Sequence, residues 1–295
     1  MKTGGKMSNQ LNFGMVNGHI IGRVLKEAVR RATVAIRSER EIFEAHSKQG
    51  YDGTMNDVFT SADVKAQEIY LRTFRECFPL CGVIGEESNL QIDPAPGCEA
   101  YFTVDPLDGT RAYVRRQSHG VGTMVALVNQ GEVISAYVGD INTEEVYGYR
   151  PGTTKVFKIT RLDTFEELRY NRPMKKGEVF GILRDPLDTY SKATQRLVKT
   201  SFKNYEVAGS SIGIWLARLW KREISVAIME PGQETPWDSA PIIGISLRLG
   251  YVFLRPKARG RGWEEYQPVI SKKVETRDHD TLIVHSKDLP SLALF

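Results

Sequence analysis

Along the first 80 residues apolar side chains recur at helical spacing. Ile20, Val24, Ala28, Ala32, Ala35 and Ile36 share one face of a stretch from about Ile20 to His46, with Arg and Glu filling the other. A polar, glycine-containing loop, Ser47 to Met55, follows. Asp57 to Phe78 then predicts a second helix, with Val64, Ile69, Leu71 and Phe74 as its core face. The rhythm changes after that to short β-like runs at 81–85, 101–104, 121–128, 133–139 and 145–149. Asn129-Gln130-Gly131 and Asp140 to Thr143 separate the last three and read as hairpin turns in an antiparallel meander.

Pro151-Gly152 ends the meander, and the polar, irregular stretch 151–177 is the expected junction between two lobes. Beyond it, strand and helix signals alternate. Val179–Leu183, Asn204–Ala208, Ile224–Met229, Tyr251–Leu254 and Thr281–Val284 read as extended, and Thr189–Val198, Ile212–Lys221 and Ser239–Leu249 as helical. Residues 256–280, rich in Arg, Lys, Gly and acids with little periodicity, predict a long surface insertion. The expectation is a mixed α/β (α+β) fold with one domain over about 15–290, an N-terminal lobe over about 15–155 and a C-terminal lobe over about 175–290.

Composition narrows the function more than the fold. A 295-residue chain that is 41% hydrophobic and 26% charged can bury a sizeable core, and no run approaches the ~18 apolar residues of a membrane span. A net charge of +4 suits a small anionic substrate and falls short of a nucleic-acid-binding stripe. Cys77, Cys81 and Cys98 form no CxxC pair, which argues against a disulfide framework or thiolate zinc site and for a reducing setting. The polar start Met1 to Lys6 lacks an apolar h-region. The expected protein is cytoplasmic, with no membrane and no nucleic-acid polymer as partner.

The chemistry concentrates at Asp105-Pro106-Leu107-Asp108-Gly109-Thr110, just past the apolar run Tyr101 to Val104. Two nearby carboxylates repel unless a cation sits between them. Gly109 permits a sharp turn, and Thr110 brings a hydroxyl to where a helical turn could begin, whose N–H groups favour an anion. A hard dication beside a phosphate satisfies both demands. Other acidic groups lie at element ends: Gly85-Glu86-Glu87-Ser88, Thr60-Ser61-Ala62-Asp63, Met229-Glu230-Pro231-Gly232, and Trp237-Asp238, with Asp238 as a helix N-cap. Oxygen ligands without partnering His or Cys select Mg²⁺, Ca²⁺ or Mn²⁺, and several carboxylates suggest a two-metal site with ions roughly 3.5–4 Å apart.

These motifs, G-E-E, D-P-L-D-G-T and W-D in that order with T-x-A-D upstream, make the chain resemble the inositol monophosphatase family over roughly residues 20–250. The resemblance implies a layered αβαβα sandwich, a homodimer, and two or three Mg²⁺ ions with Mn²⁺ as a substitute. It implies that Glu86, Asp105 and the carbonyl of Leu107 hold one ion and that Asp105, Asp108 and Asp238 hold another. Glu86 and Thr110 would position and activate the attacking water, with Asp63 orienting Thr110. The N–H groups of Gly109 and Thr110 would cradle the phosphate, and Asp108, Ser211, Gly213 and Glu230 would lie near the substrate. The implied activity is hydrolysis of a small phosphate monoester, an inositol or polyol monophosphate, without a covalent nucleophile. A 3′(2′),5′-bisphosphate nucleotide or a sugar bisphosphate is the alternative substrate, and a catalytically weak, ester-binding regulatory protein the alternative class.

Two further signals carry competing readings. Gly209-Ser210-Ser211-Ile212-Gly213 fits the G-x-S-x-G of serine hydrolases, with Asp238 and His279 or His285 following in order, but that reading leaves Glu86, Asp105 and Asp108 without a task. Arg111, Arg115 and Arg116 either form a solvated face or bind a second anionic group. Pro241, early in a helix, and the 256–280 segment depart from the family pattern.

Overall fold

Asn17 starts the first helix by accepting the N–H groups of His19 and Ile20 on its side-chain oxygen. In this computed structural model, which describes residues 17–50, 53–55, 57–258 and 262–294, α1 (Gly18–Glu39) is followed by β1 (Ala45–Lys48), β2 (Asp57–Thr60) and α2 (Ser61–Cys77). Next come β3 (Gly82–Gly85), β4 (Gln91–Ile92), β5 (Tyr101–Asp108), α3 (Thr110–Val114), β6 (Gly122–Asn129), β7 (Glu132–Asp140) and β8 (Val146–Tyr149). The chain continues through β9 (Phe157–Ile159), β10 (Phe165–Glu167), β11 (Val179–Leu183), α4 (Lys192–Ser201), β12 (Phe202–Val207), α5 (Ile212–Trp220), β13 (Val226–Met229) and β14 (Gly232–Glu234). It ends with α6 (Pro236–Arg248), β15 (Tyr251–Pro256), β16 (Trp263–Tyr266), β17 (Glu275–Arg277) and β18 (Thr281–His285).

Two large sheets organise these elements. The first has the order β10-β9-β8-β7-β6-β5-β3-β4, and the second β12-β11-β13-β18-β15-β16. Strand β6 shows why its sequence reads as continuously apolar: both faces are buried. Val125 and Leu127 meet α1 and α2 through residues such as Leu25, Val29 and Phe74, while Met124, Ala126 and Val128 meet α5 and α6. In the second sheet Ala227 and Ile283 face those same two helices, and Val226, Ile228, Leu282 and Val284 face Leu197 and Val198 of α4. The layers therefore run helix, sheet, helix, sheet, helix, the expected αβαβα sandwich.

Several sequence expectations shift. The first helix ends at Glu39 instead of His46, because 45–48 pairs antiparallel with 57–60. Its buried face is Ile21, Leu25, Ala28, Val29, Ala32 and Ile36, and Ile20 is exposed. The second helix begins at Ser61 and buries Ala62, Asp63, Ala66, Tyr70 and Phe74, so Val64 points to solvent. The 151–177 stretch holds the short pair β9–β10, and 256–280 contributes β16 and β17. Helix α6 starts three residues before Ser239, which moves Pro241 to its sixth position, past the first turn, where it cannot donate the helical bond to Trp237.

Candidate active site

Strand β5 runs buried from Tyr101 to its last residue, Asp108, and delivers both motif carboxylates to one end of the first sheet. The Oδ1 of Asp105 accepts the N–H of Leu107 at 3.0 Å, closing an Asx turn around Pro106. Asp108 is held from the other side by the start of α5. Its Oδ2 accepts the Ser211 hydroxyl at 2.5 Å and the Gly213 N–H at 2.7 Å, and its Oδ1 accepts the Ile212 N–H at 3.0 Å. Asp238 arrives from the first turn of α6, where the Thr235 hydroxyl donates to its Oδ2 at 2.7 Å. Thr235 holds the N-cap position that the sequence reading gave to Asp238, which sits three residues further in.

Carboxylate oxygens of Asp105, Asp108 and Asp238 lie within 4.8 Å of one another. Burial and the charges of Glu86, Asp108 and Asp238 hold the Asp105 carboxyl well above the usual carboxylate range. Burial, then Asp238, pushes Asp108 up to about 7, despite three opposing hydrogen bonds. Such a set is poorly satisfied by protein alone. Its donors are all hard oxygen, so the residues present fit Mg²⁺, Mn²⁺ or Ca²⁺ and offer nothing suited to a soft metal.

Glu86, in the turn after β3, is near this cluster but engaged elsewhere. Lys48 of β1 donates to its Oε1 at 2.9 Å and to Oε1 of Glu87 at 2.6 Å. Burial pushes Glu86 up to about 8, with Lys48 opposing and Glu87 and Asp238 adding to the rise. Burial disfavours the charge on Lys48, yet Glu86 and Glu87 outweigh it and raise its pKa. The sequence reading missed Lys48, whose only signal was a lone cation in a polar stretch.

Asp63 serves the start of its own helix and also faces Thr110. Its Oδ2 accepts the Thr60 N–H at 2.7 Å and hydroxyl at 2.6 Å, a capping box that starts α2. Its Oδ1 lies 3.3 Å from the Thr110 hydroxyl, which also donates to the Leu107 carbonyl at 2.9 Å. Burial pushes Asp63 up to about 7. Gly109, at φ 89°, turns the chain from β5 into α3, and a Cβ there would meet the Gly120 carbonyl oxygen at 2.4 Å.

Ser211 and Gly213, expected near the substrate, are buried and hold Asp108. Ser211 is fully buried, donates to Asp108 and accepts the Ile214 N–H at 3.0 Å. Among the described residues no histidine bonds to it: His285 stacks on Tyr170 and His279 donates from Nδ1 to the Asp280 carbonyl. The serine-hydrolase arrangement is therefore not formed. Of the basic trio, Arg116 pairs with Glu41 at 2.9 Å, and Arg111 alone lines the cleft described next.

In front of the acids opens a cleft of about 550 Å³ between the ends of the two sheets. Glu86 and Asp238 form one wall, Arg184 and Asp185 another, and the connection from Glu230 to Thr235 a third. No described helix is long and apolar enough to cross a membrane.

The chain is 35% identical over 91 residues to the inositol-1-monophosphatase of Rhizobium meliloti, covering 31% of this chain and 33% of the relative. It is 30% identical over 106 residues to the Nus factor SuhB of Xylella fastidiosa, covering 36% and 37%. It thus spans about a third of the length of these curated relatives. The fold matches that of the extragenic suppressor protein suhB from Bartonella henselae with a TM-score of 0.70 at 18% identity, over 92% of this chain and 96% of that one. The model of the inositol monophosphatase family matches residues 21–289, and the chain belongs to that family.

Proposed function

We propose that this protein is a Mg²⁺-dependent phosphatase that hydrolyses a small phosphate monoester, an inositol or polyol monophosphate, by attack of water on phosphorus. The observation that carries the reading is the convergence of Asp105, Asp108 and Asp238, from a strand end and a helix start, into one acid cluster whose Asp238 lines the cleft. Asp105, Asp108 and Asp238 would hold one cation, and Asp105, Glu86 and the Leu107 carbonyl a neighbouring one. When bound, such ions neutralise the phosphoryl oxygens and lower the barrier to in-line displacement.

The chain's own groups do the rest. The Thr110 hydroxyl, held between Asp63 and the Leu107 carbonyl, is placed to orient a water and pass its proton inward. Glu86, raised to about 8 even with Lys48 beside it, becomes a competent acceptor once a cation further stabilises its ionised form. The N–H groups of Gly109 and Thr110 open α3 beside the phosphate position, and Glu230 faces the alcohol from the third wall. On this reading the two sheets are the cores of the two expected lobes, with the cleft between their ends.

A second reading, a bisphosphorylated substrate, is favoured by Arg184 and Arg111 on the cleft wall. A third, an ester-binding regulatory protein, is suggested by the similarity to Nus factor SuhB. Release of inorganic phosphate from a panel of polyol monophosphates and bisphosphates, with Mg²⁺ and with chelator, separates them. Binding of the ester without any Mg²⁺-dependent release would overturn the enzymatic reading.

A further inference from the structure

The 256–280 segment reaches the cleft. Strand β17 pairs antiparallel with β14, setting Gly232 opposite Arg277, Gln233 opposite Thr276 and Glu234 opposite Glu275. β14 lies within the connection from the end of β13 to α6, the same connection that forms the third wall of the cleft. Arg277 has a side chain only 9% exposed and sends its donors three ways. Its Nη1 donates to the Glu234 carboxylate at 2.6 Å, its Nη2 to the Glu230 carbonyl, and its Nε to the His279 carbonyl at 3.1 Å. The Thr276 hydroxyl adds a bond to the Gln233 side chain at 3.1 Å. A rigid guanidinium fork spanning Glu230 and Glu234 fixes both ends of the wall, a task for which a flexible ammonium is poorly suited.

Arg277 also lines the cleft, but each of its three nitrogens already donates to the protein, so its interactions are with the wall. We propose that it is a positioning residue: through β17 it holds the Glu230–Glu234 wall at the separation from the Asp105–Asp108–Asp238 acids that admits a polyol phosphate. The 256–280 segment, whose described residues contribute no group to the acid cluster, then determines which alcohol is accepted. This rests on the phosphatase reading above. Glu230 is the residue through which the effect travels, because its carbonyl is clamped and its side chain meets Asp185 on the neighbouring wall.

The test compares Arg277→Met, Arg277→Lys, Glu230→Gln and the Arg277→Met/Glu230→Gln double variant with wild type in Mg²⁺. The two esters are myo-inositol 1-phosphate and p-nitrophenyl phosphate, whose flat aromatic alcohol offers no hydroxyls to the wall. Arg277→Met should raise KM for the inositol ester about tenfold, while kcat on it and all constants for p-nitrophenyl phosphate stay within about twofold. The double variant should be little worse than Glu230→Gln, since both changes remove one function. Equal losses on both esters, an unchanged KM, or additive effects would overturn the proposal. If Arg277→Met has lost its circular dichroism, Arg277→Lys decides: a selective KM increase supports the clamp, and a wild-type KM refutes it. A wild type that turns over neither ester refutes the phosphatase reading instead. The clamp is then read by calorimetry, where Arg277→Met should weaken myo-inositol 1-phosphate but not inorganic phosphate, and equal weakening or none refutes it.

Discussion

Replacing Asp105 by Asn tests the claim that the acid cluster is built for cations and is strained without them. The substitution is nearly isosteric. The Asn carbonyl can still accept the Leu107 N–H, and its amide can donate where the protonated Asp105 shares a hydrogen bond with Asp238. What changes is charge. With carboxylate oxygens at most 4.8 Å apart and an effective dielectric of ~20, each ionised pair repels by about 3 kcal/mol. Protonation relieves this repulsion at low pH, so the effect must grow with pH.

The sign follows from the direction of the shifts. Asp108 rises from 3.8 to about 7 on folding, and Glu86 from 4.5 to about 8. Acids raised in this way support the fold while protonated, and that contribution is lost as the pH climbs from about 4 through 8. Metal-free wild type should therefore weaken across this window. Metal-free Asp105→Asn, which removes its pairs with both Asp108 and Asp238, should weaken less, ending ahead by about 6 kcal/mol near pH 9, or roughly 10 °C in Tm for a chain of this size. Excess Mg²⁺ should reverse the order, stabilising wild type by mass action and the variant hardly at all. Thermal unfolding followed by circular dichroism, with chelator and with Mg²⁺, reads all four states. A metal-free variant no more stable than wild type near pH 9, or a wild type indifferent to Mg²⁺, would refute the reasoning.

Three other substitutions probe separate parts of the site and its frame. Ser211→Ala removes one of three hydrogen bonds to Asp108 and the cap of α5, so phosphate release should fall only about tenfold and stability by ~1 kcal/mol; complete loss of activity would point back to a serine nucleophile. Gly213→Ala would place a Cβ 2.5 Å from the Met124 sulfur and 2.8 Å from Val138, costing ~1–3 kcal/mol in denaturant titrations and displacing Asp108. Arg222→Met strands Asp288, which is fully buried and paired with Arg222 at 2.7 Å, so it should cost ~3–5 kcal/mol in the same titrations while the remaining folded enzyme keeps its KM.

The parts of this molecule that sequence reveals are those whose partners are near in the chain. Asp105, Leu107, Asp108 and Thr110 form one turn, and the buried run before them marks the strand that carries it. Strands β6, β11 and β18 are legible for a related reason, since burial on both faces leaves an unbroken apolar run. The end of α1 was not legible, because residues 40–46 have adequate helix propensity and only the distant partner strand 57–60 withdraws them from the helix. Strands β16 and β17 are only four and three residues long, and although β16 buries Trp263, neither is long enough for a periodicity to announce it. Lys48 was hidden because its partners Glu86 and Glu87 lie 38 and 39 residues away.

This division separates chemistry from selectivity. The converging acids are carried on short motifs, and a chain that keeps those motifs keeps the cluster. The wall that the proposed function sets against the alcohol depends instead on contacts between Glu230–Glu234 and Arg277, the ion pair itself spanning 43 residues through a segment without recognisable pattern. Two chains could therefore share every motif in this site and still accept different esters. The residues that distinguish them would lie in β14 and β17, where a single displaced guanidinium moves the wall without disturbing an acid.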